Sequence, residues 1–166
     1  MKKILLLVSL ALVVIGATPF VVGSFLPREH RASVEVRLKA PRDQVWGVVS
    51  DFDAMPTWFD GAGPLKRSGE QDGLPIYEAR DERMTLTFTF VEVRGPERLV
   101  VDLKDDAGYF GGRWTYTLHA SGDETIVTVT EDGWAEPAFF RFMLMVFGAD
   151  ATLKAYGEAL TKKMGA

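Results

Sequence analysis

Alternation of apolar and polar side chains constrains the fold of this chain more than any other feature. In MTLTFTF, residues 84–90, apolar side chains occupy every second position, with threonines between them. The same period of two recurs in VEVRL, residues 34–38, and in RLVVDL, residues 98–103. GRWTYTL and ETIVTVTE repeat it between residues 112 and 131. Strict alternation is typical of strands with one buried face, so most of the chain is predicted to form an antiparallel sheet.

Helical segments interrupt and close this run of strands. Pro41 follows the first strand and suits the first turn of a helix, whose apolar positions continue to Phe52. Asp53 and Pro56 then predict a second short helix. Residues 137–166 lack alternation, and their second half is amphipathic. The predicted fold class is α+β, with a curved antiparallel sheet of about seven strands, two short helices after strand 1 and a long C-terminal helix.

The first 27 residues are predicted to form a separate unit. Residues 4–26 carry no charged side chain, and Lys2 and Lys3 precede them. A helix needs about 20 apolar residues to cross a bilayer, whereas the apolar core of a cleavable signal has roughly 7–15. We therefore expect a single N-terminal transmembrane helix, in an anchor at residues 1–27, followed by one domain at residues 28–166.

A secretory signal is the alternative interpretation of the same run. Pro19 divides it, and the small residues at 16–17 and 23–24 would suit a signal peptidase. The two N-terminal lysines favour a domain outside the cytoplasm, although Arg28 and Arg31 beyond the run weaken that bias. The predicted location is the membrane, with the domain on its extracytoplasmic side.

Composition excludes several classes of function. The formal net charge is −4, whereas nucleic-acid binding requires basic side chains that neutralise phosphates. The sequence has no cysteine, which excludes disulfides, thiolate catalysis and cysteine metal sites. Of its two histidines, His119 is predicted to be exposed on a strand, and His30 to face solvent or lipid headgroups. No metal site and no cofactor are therefore expected.

Aromatic and methionine side chains from three predicted elements should converge on one space. They either fill that space as core or form the walls of a pocket. The converging residues are Trp46, Phe52, Trp58 and Phe59 of the short helices, Phe88, Phe90, Trp114 and Tyr116 of the sheet, and Phe139, Phe142, Met143 and Met145 of the long helix.

Four stretches carry a resemblance to a known superfamily. VEVRLKAPRDQVWGVVSDFDAMPTWF, residues 34–59, is similar to an opening pattern of strand, Ala-Pro, Val-Trp, Asp, Pro and Trp. GGRWTYTL (111–118), ETIVTVTEDG (124–133) and GADATLKAYGEALTKKM (148–164) extend it. The chain thereby resembles the START / Bet v 1 / polyketide cyclase (SRPBCC) superfamily, which has the helix-grip fold, over about residues 32–163. It looks most like a bacterial group whose membrane segment ends in FLP before the first strand.

The resemblance implies a hydrophobic ligand cavity between the sheet and the long helix. The expected function is membrane-tethered binding of an apolar small molecule or lipid, with the membrane contacted through residues 4–26. Glu131 shares a strand face with Val127 and Val129, so it is expected either to enter the cavity as its polar contact or to reach the rim. The predicted ligand-binding residues are Trp46, Trp58, Phe88, Phe90, Trp114, Tyr116, Glu131, Phe142 and Met143.

Two alternatives remain open at this point, because the fold hosts many functions. A cyclase or dehydratase acting on a polyketide-like substrate would need an acid or base in the cavity, for which Glu131 and Tyr116 are the candidates. A packed protein-interaction shell would have no pocket. Ala138–Phe147, with Arg141 its one charged residue, is apolar on all sides and could contact the membrane segment, a bilayer or a second copy of the chain.

Overall fold

A seven-stranded antiparallel sheet forms the centre of the molecule in the computed structural model, which describes residues 2–82 and 84–165. Its order is β1-β7-β6-β5-β4-β3-β2, so that the first and last strands of the chain pair with each other. The predicted strand number and antiparallel pairing are confirmed. The strands are β1 (Glu29–Leu38), β2 (Leu65–Gln71), β3 (Leu74–Arg80), β4 (Thr85–Arg94), β5 (Arg98–Asp105), β6 (Phe110–Ser121) and β7 (Glu124–Ala135).

Helices flank this sheet on its concave side and at the N-terminus. The short helix α2 and two 3-10 turns follow β1, where the sequence predicts two short helices. The architecture is α+β of the helix-grip type, as predicted. The helical elements of the described chain are α1 (Lys2–Ser24), α2 (Arg42–Val49), the 3-10 turns Met55–Thr57 and Asp60–Ala62, α3 (Ala138–Phe147) and α4 (Ala151–Met164).

The hydrophobic core lies between the inner face of the sheet and α4. Val36 and Val127 pair across β1 and β7, and both are buried. Leu153 and Tyr156 of α4 are fully buried against this face. Gly157 lets the helix approach β1 closely, because a Cβ at this position would lie 3.0 Å from Val36 Cγ2. The period of two in the sequence therefore identifies the buried face correctly.

The C-terminal segment is two helices rather than the single long helix expected from the sequence. α3 ends at Phe147, and Gly148 has a φ of 88°, in the left-handed region that favours glycine. Asp150 precedes α4 and forms an ion pair with Lys154, whose Nζ is 2.7 Å from Oδ2. After this break, α4 packs against β1 and β7 as part of the core, while α3 contacts α1 and β7.

The N-terminal helix α1 packs against α3. The ring centroids of Phe20 and Phe139 are 5.8 Å apart, and the carbonyl of Ala138 lies so close to Gly23 that no Cβ would fit there. Part of the expected anchor lies outside the described residues, because the structure does not describe the side chains at positions 5, 6, 8 and 10. Among the described residues, no helix has the combined length and apolarity of a membrane span.

Candidate functional site

A cavity of about 460 Å³ lies between the sheet, the 3-10 turns and α3. This volume falls in the range of about 300–1,000 Å³ that is usual for small-molecule sites. Most of its walls are apolar. The lining residues are His30, Phe52, Met55, Phe59, Gly61, Ala62, Leu86, Phe88, Val101, Leu103, Phe110, Gly111, Trp114, Tyr116, Glu131, Trp134, Ala135, Phe140, Met143, Leu144, Phe147, Gly148, Ala149, Ala151 and Thr152.

Helix α3 covers the cavity with one of its faces. Phe140, Met143, Leu144 and Phe147 all line the cavity, and their spacing of three, four and seven residues places them on one side of a helix. Ala138 and Phe139, which lie on other sides of the helix, contact α1. The apolar character of this helix on all sides is thus explained in part, since one face walls the cavity and another packs on the N-terminal helix.

Five of the nine predicted ligand-binding residues lie on the cavity wall. Phe88, Trp114, Tyr116 and Glu131 reach it from the inner face of the sheet, and Met143 reaches it from α3. On β6 and β7, Trp114 and Glu131 are direct cross-strand partners. Of the two positions left open for Glu131, the cavity interior is the one observed, with 13% of its side chain exposed.

Trp58 and Phe90 belong to the packed core and are not among the lining residues. The ring of Trp58 packs at a tilt against Tyr156 of α4, with the centroids 5.5 Å apart. Phe90 is buried, with its ring centroid 4.6 Å from that of Phe52. The β4–β5 register shifts just after Phe90, and such a bulge bends the strand and re-aims its side chains. Phe90 therefore supports the wall from behind, while Phe52 faces the cavity.

Trp46 and Phe142 also lie away from the cavity wall. The indole of Trp46 packs on Gly95 at the β4–β5 turn, where a Cβ would be 2.9 Å from the ring. Phe142 is half-buried on α3 and is not a lining residue, although its sequence neighbours Phe140 and Met143 line the cavity. Phe52, Met55 and Phe59 close the end of the cavity that the sequence assigned to the two tryptophans.

A polar cluster occupies one region of this otherwise apolar lining. His30 on β1 and Glu131 on β7 approach each other, with Nε2 and Oε1 3.9 Å apart. Both side chains are mostly buried, with 18% of His30 exposed. The expectation that His30 faces solvent or headgroups is wrong. Extending the alternation of Val34 and Val36 back through Ala32 would have placed His30 on the inner face.

Burial dominates the electrostatics of this cluster. It raises the pKa of Glu131, because the charged carboxylate loses its hydration. The Trp114 indole N–H and the nearby His30 act in the opposite direction and lower that pKa. Burial also raises the pKa of Tyr116, and its neighbours Tyr156 and Glu131 raise it further. The cluster thus combines a carboxyl that accepts protons readily with a phenol that stays protonated.

The loop between β5 and β6 is held in place by a buried carboxylate. Asp105 is 2% exposed, and its Oδ1 accepts a hydrogen bond of 2.9 Å from the Phe110 N–H. Phe110 in turn lines the cavity and packs at a tilt against Phe140 of α3, with the ring centroids 5.7 Å apart. Tyr109, in the same loop, is 52% exposed. The loop therefore contributes one fixed aromatic wall and one surface aromatic.

Outside this cavity, the described residues form a charged groove but no cluster suited to a metal ion. A groove between β1 and α4 is bordered by the exposed charged side chains of Arg37, Lys154 and Glu158. Within the described residues, no group of three or more His, Asp or Glu side chains is placed to hold a metal ion. His119 is exposed on β6, as predicted.

Comparison with known proteins supports the helix-grip fold. A family model described as polyketide cyclase / dehydrase and lipid transport matches residues 29–163. No curated protein matches the sequence significantly. Similar solved structures include the Zhui aromatase/cyclase from Streptomyces sp. R1128, with a TM-score of 0.66 and 13% identity over 82% of this chain and 94% of that one.

Two further structures share the fold. A START superfamily protein from Mycobacterium smegmatis has a TM-score of 0.62 and 18% identity, over 82% of this chain and 97% of that one. Norcoclaurine synthase from Thalictrum flavum has a TM-score of 0.61 and 17% identity, over 86% of this chain and 89% of its own. At these identities, the similarity establishes the fold alone.

Proposed function

The chain belongs to the polyketide cyclase / dehydrase and lipid transport family, within the SRPBCC superfamily, and from this membership we propose that its cavity binds an apolar small molecule or lipid. The observation that carries the proposal is the 460 Å³ space walled by phenylalanine, leucine and methionine side chains. Burial of apolar surface is favourable by about 25 cal/mol per Å², less the cost of ordering the ligand. Affinity would therefore come from removing the ligand from water.

Native mass spectrometry of the full-length protein, followed by lipid extraction, tests this proposal. We expect a co-purifying apolar molecule at about one per chain. Leu103→Trp should reduce its occupancy, because Leu103 lines the cavity and the larger ring would fill the space. His119→Trp, at an exposed position of β6, is the matched control. A protein that carries no ligand and does not bind Nile red would contradict the proposal.

A second candidate function is acid-base catalysis of the cyclase or dehydratase kind. The specific observation in its favour is that Glu131 and His30 lie 3.9 Å apart within the cavity lining. Burial raises the pKa of the Glu131 carboxyl towards the range that suits proton transfer near neutral pH. Conversion of the co-purified molecule, followed by mass spectrometry, should then occur with wild type and stop with Glu131→Gln. Binding without conversion in both proteins would exclude this candidate.

Membrane tethering is the second part of the proposal, together with assignment to the membrane-anchored bacterial group. It is supported by the uncharged run at residues 4–26 and by exposed apolar side chains on α1. Ile15 is 68% exposed, and Phe25 just beyond the helix is 85% exposed. On α3, Phe147 is 66% exposed next to the cavity. An apolar surface that extends from α1 to the cavity would let a ligand move between bilayer and protein.

Fractionation of cells that express the full-length chain tests the tether. We expect the protein in the membrane fraction after a carbonate wash. Replacing Leu12 and Ile15, both exposed on α1, with aspartate should release it, because charged side chains are costly in a bilayer. Aspartates at the exposed Val91 and Val93 of β4 are the control and should leave the protein in the membrane. A wild-type protein recovered in the wash would contradict tethering.

A further inference from the structure

We propose that Glu131, His30 and the indole of Trp114 form a subsite that recognises a hydroxyl group on an otherwise apolar ligand. The proposal rests on the proposed function of the cavity and specifies the class of molecule that would bind there. All three side chains line the cavity, whose remaining side chains are mainly apolar.

The sheet register explains why the three groups meet. Glu131 is the cross-strand partner of Trp114 on β6 and of Ala32 on β1. His30 is two residues before Ala32, and its own partner on β7 is Gly133. Residues two apart on a strand share a face, so His30 lies diagonal to Glu131. The small residues Ala32 and Gly133 leave room for the imidazole to lean towards the carboxylate.

Hydrogen bonding within this cluster is incomplete. Nδ1 of His30 is buried and has no hydrogen-bond partner among the described residues. Nε1 of Trp114 is also buried; it lies near enough to Glu131 to lower the pKa of that carboxyl, but it makes no hydrogen bond of ordinary geometry there. The 3.9 Å between His30 Nε2 and Glu131 Oε1 is too long for a direct hydrogen bond. Buried polar groups are normally paired, and an unpaired one destabilises the protein. A bound group that completes these bonds would remove that cost.

A hydroxyl matches the donors and acceptors available here. It offers one O–H donor and two acceptor lone pairs. The carboxylate of Glu131 can accept the ligand O–H, while the Trp114 indole N–H and one imidazole N–H can donate to the ligand oxygen. The hydrogen bond to the charged carboxylate would be the strongest of the three.

Other common head groups fit less well. A ketone can pair only with the protonated form of Glu131, since it has no donor for the carboxylate, whereas a hydroxyl can pair with both forms. A ligand carboxylate would be repelled by Glu131 at short range. An ammonium group would satisfy Glu131, but it has no lone pair for the Trp114 indole N–H. The cluster therefore selects alcohols or phenols over these alternatives.

Matched naphthalenes test the inference on the full-length protein in lipid nanodiscs, with empty nanodiscs as the blank. The probes are 2-naphthol, 2-methylnaphthalene and 2-naphthoate, which compete with Nile red for the cavity. We expect 2-naphthol to bind about tenfold more tightly than 2-methylnaphthalene, as one charge-assisted hydrogen bond implies. We expect 2-naphthoate to bind more weakly than 2-naphthol.

Substitutions then assign the preference to the subsite. Glu131→Leu should remove the naphthol preference and leave methylnaphthalene binding in place. Asp132→Leu, at the next residue of β7 but exposed on the outer side, is the matched control and should keep the preference. Trp114→Phe removes the N–H while keeping an aromatic ring, and it should reduce the preference without abolishing it.

The outcomes distinguish the subsite from the cavity itself. Equal affinity of wild type for 2-naphthol and 2-methylnaphthalene would overturn the hydroxyl subsite while leaving apolar binding intact. A preference that survives both Glu131→Leu and Trp114→Phe would also overturn it. Failure of Nile red and of every naphthalene to bind would refute the proposed function, and the subsite with it.

Discussion

Gly133 on β7 lies directly beneath the imidazole of His30 on β1. A Cβ at position 133 would be 2.5 Å from both Nε2 and Cε1 of the ring, and 3.2 Å from Glu131 Oε1. On its other side, Gly133 pairs with Gly112 of β6, and a Cβ at 112 would lie 2.8 Å from the Gly133 Cα. The absence of a side chain at 133 is therefore what makes room for the His30–Glu131 cluster.

Gly133→Ala should displace His30 from the cavity. A contact of 2.5 Å is shorter than any stable packing distance, so the imidazole must move away from Glu131. We expect a loss of about 1–3 kcal/mol in the free energy of unfolding, as for other overpacked sites, and a weaker preference for 2-naphthol. Gly69→Ala on β2 is the control, because no atom lies within 4 Å of a Cβ there. Equal effects of the two substitutions would show that His30 is not constrained by Gly133.

Strand alternation predicted the sheet side of the site well. Phe88, Trp114, Tyr116 and Glu131 all reach the cavity, because a period of two fixes which face of a strand each residue occupies. His30 could have been found by the same rule. Phe90 lies on the predicted inner face but does not reach the cavity, since the irregular pairing after it changes the direction of the strand. Alternation along a strand shows which face a side chain occupies. Whether that side chain lines the cavity or joins the core depends on its position along the bent strand.

The helical side of the site was harder to predict for a physical reason. Ala138–Phe147 is apolar all round, so its sequence has no polar face to indicate which side meets the cavity. The sequence predicts Phe142 as a ligand-binding residue, whereas Phe140 and Leu144 are the side chains that line the cavity. Trp58 follows a 3-10 turn of three residues, which is too short for a helical period to indicate a buried face. Packing partners that are distant in sequence decide these orientations, and local patterns do not encode them.

The raised pKa of Glu131 predicts a specific dependence of stability on pH. The folded state binds the proton more tightly than the unfolded state, whose carboxyl has the ordinary pKa of 4.5. The contribution of Glu131 to the free energy of unfolding is therefore fully present below pH 4.5 and is lost as pH rises through the folded pKa. The neighbouring titratable groups are His30 and Tyr116. Urea unfolding at several pH values, at constant ionic strength, measures this trend.

Glu131→Gln isolates that trend from the other carboxyl groups. We expect the difference in unfolding free energy, wild type minus variant, to fall as pH rises from 4 and to level off above the folded pKa. Asp132→Asn is the control, because Asp132 is exposed and pairs with Arg31 at 3.0 Å on the surface. A difference that is constant over this range, or that grows with pH, would contradict the raised pKa.

The hydrogen bond from Thr125, at the start of β7, to the segment before α2 should stabilise the fold. The Thr125 side chain is fully buried, and its Oγ1 donates a hydrogen bond of 2.7 Å to the Ala40 carbonyl. Thr125→Val keeps the shape but removes the donor, which leaves the Ala40 oxygen without this bond. We expect a loss of about 1–3 kcal/mol in the free energy of unfolding. Thr128→Val, half-buried on the same strand, should change it by no more than about 0.5 kcal/mol. Similar losses from both substitutions would assign the effect to the strand and not to the bond.

The break between α3 and α4 should depend on Gly148. Its φ of 88° is unfavourable for any residue with a side chain, and an added Cβ would lie 2.9 Å from Asp150 Oδ1. Gly148→Ala should therefore lower the free energy of unfolding by about 1–3 kcal/mol. Gly47→Ala is the matched control with the opposite sign. Gly47 lies within α2, where a Cβ meets no atom within 4 Å, so alanine should stabilise by about 0.5–1 kcal/mol. Thermal unfolding of the two variants beside wild type measures both signs, and stabilisation by Gly148→Ala would indicate that α3 and α4 join without the left-handed residue.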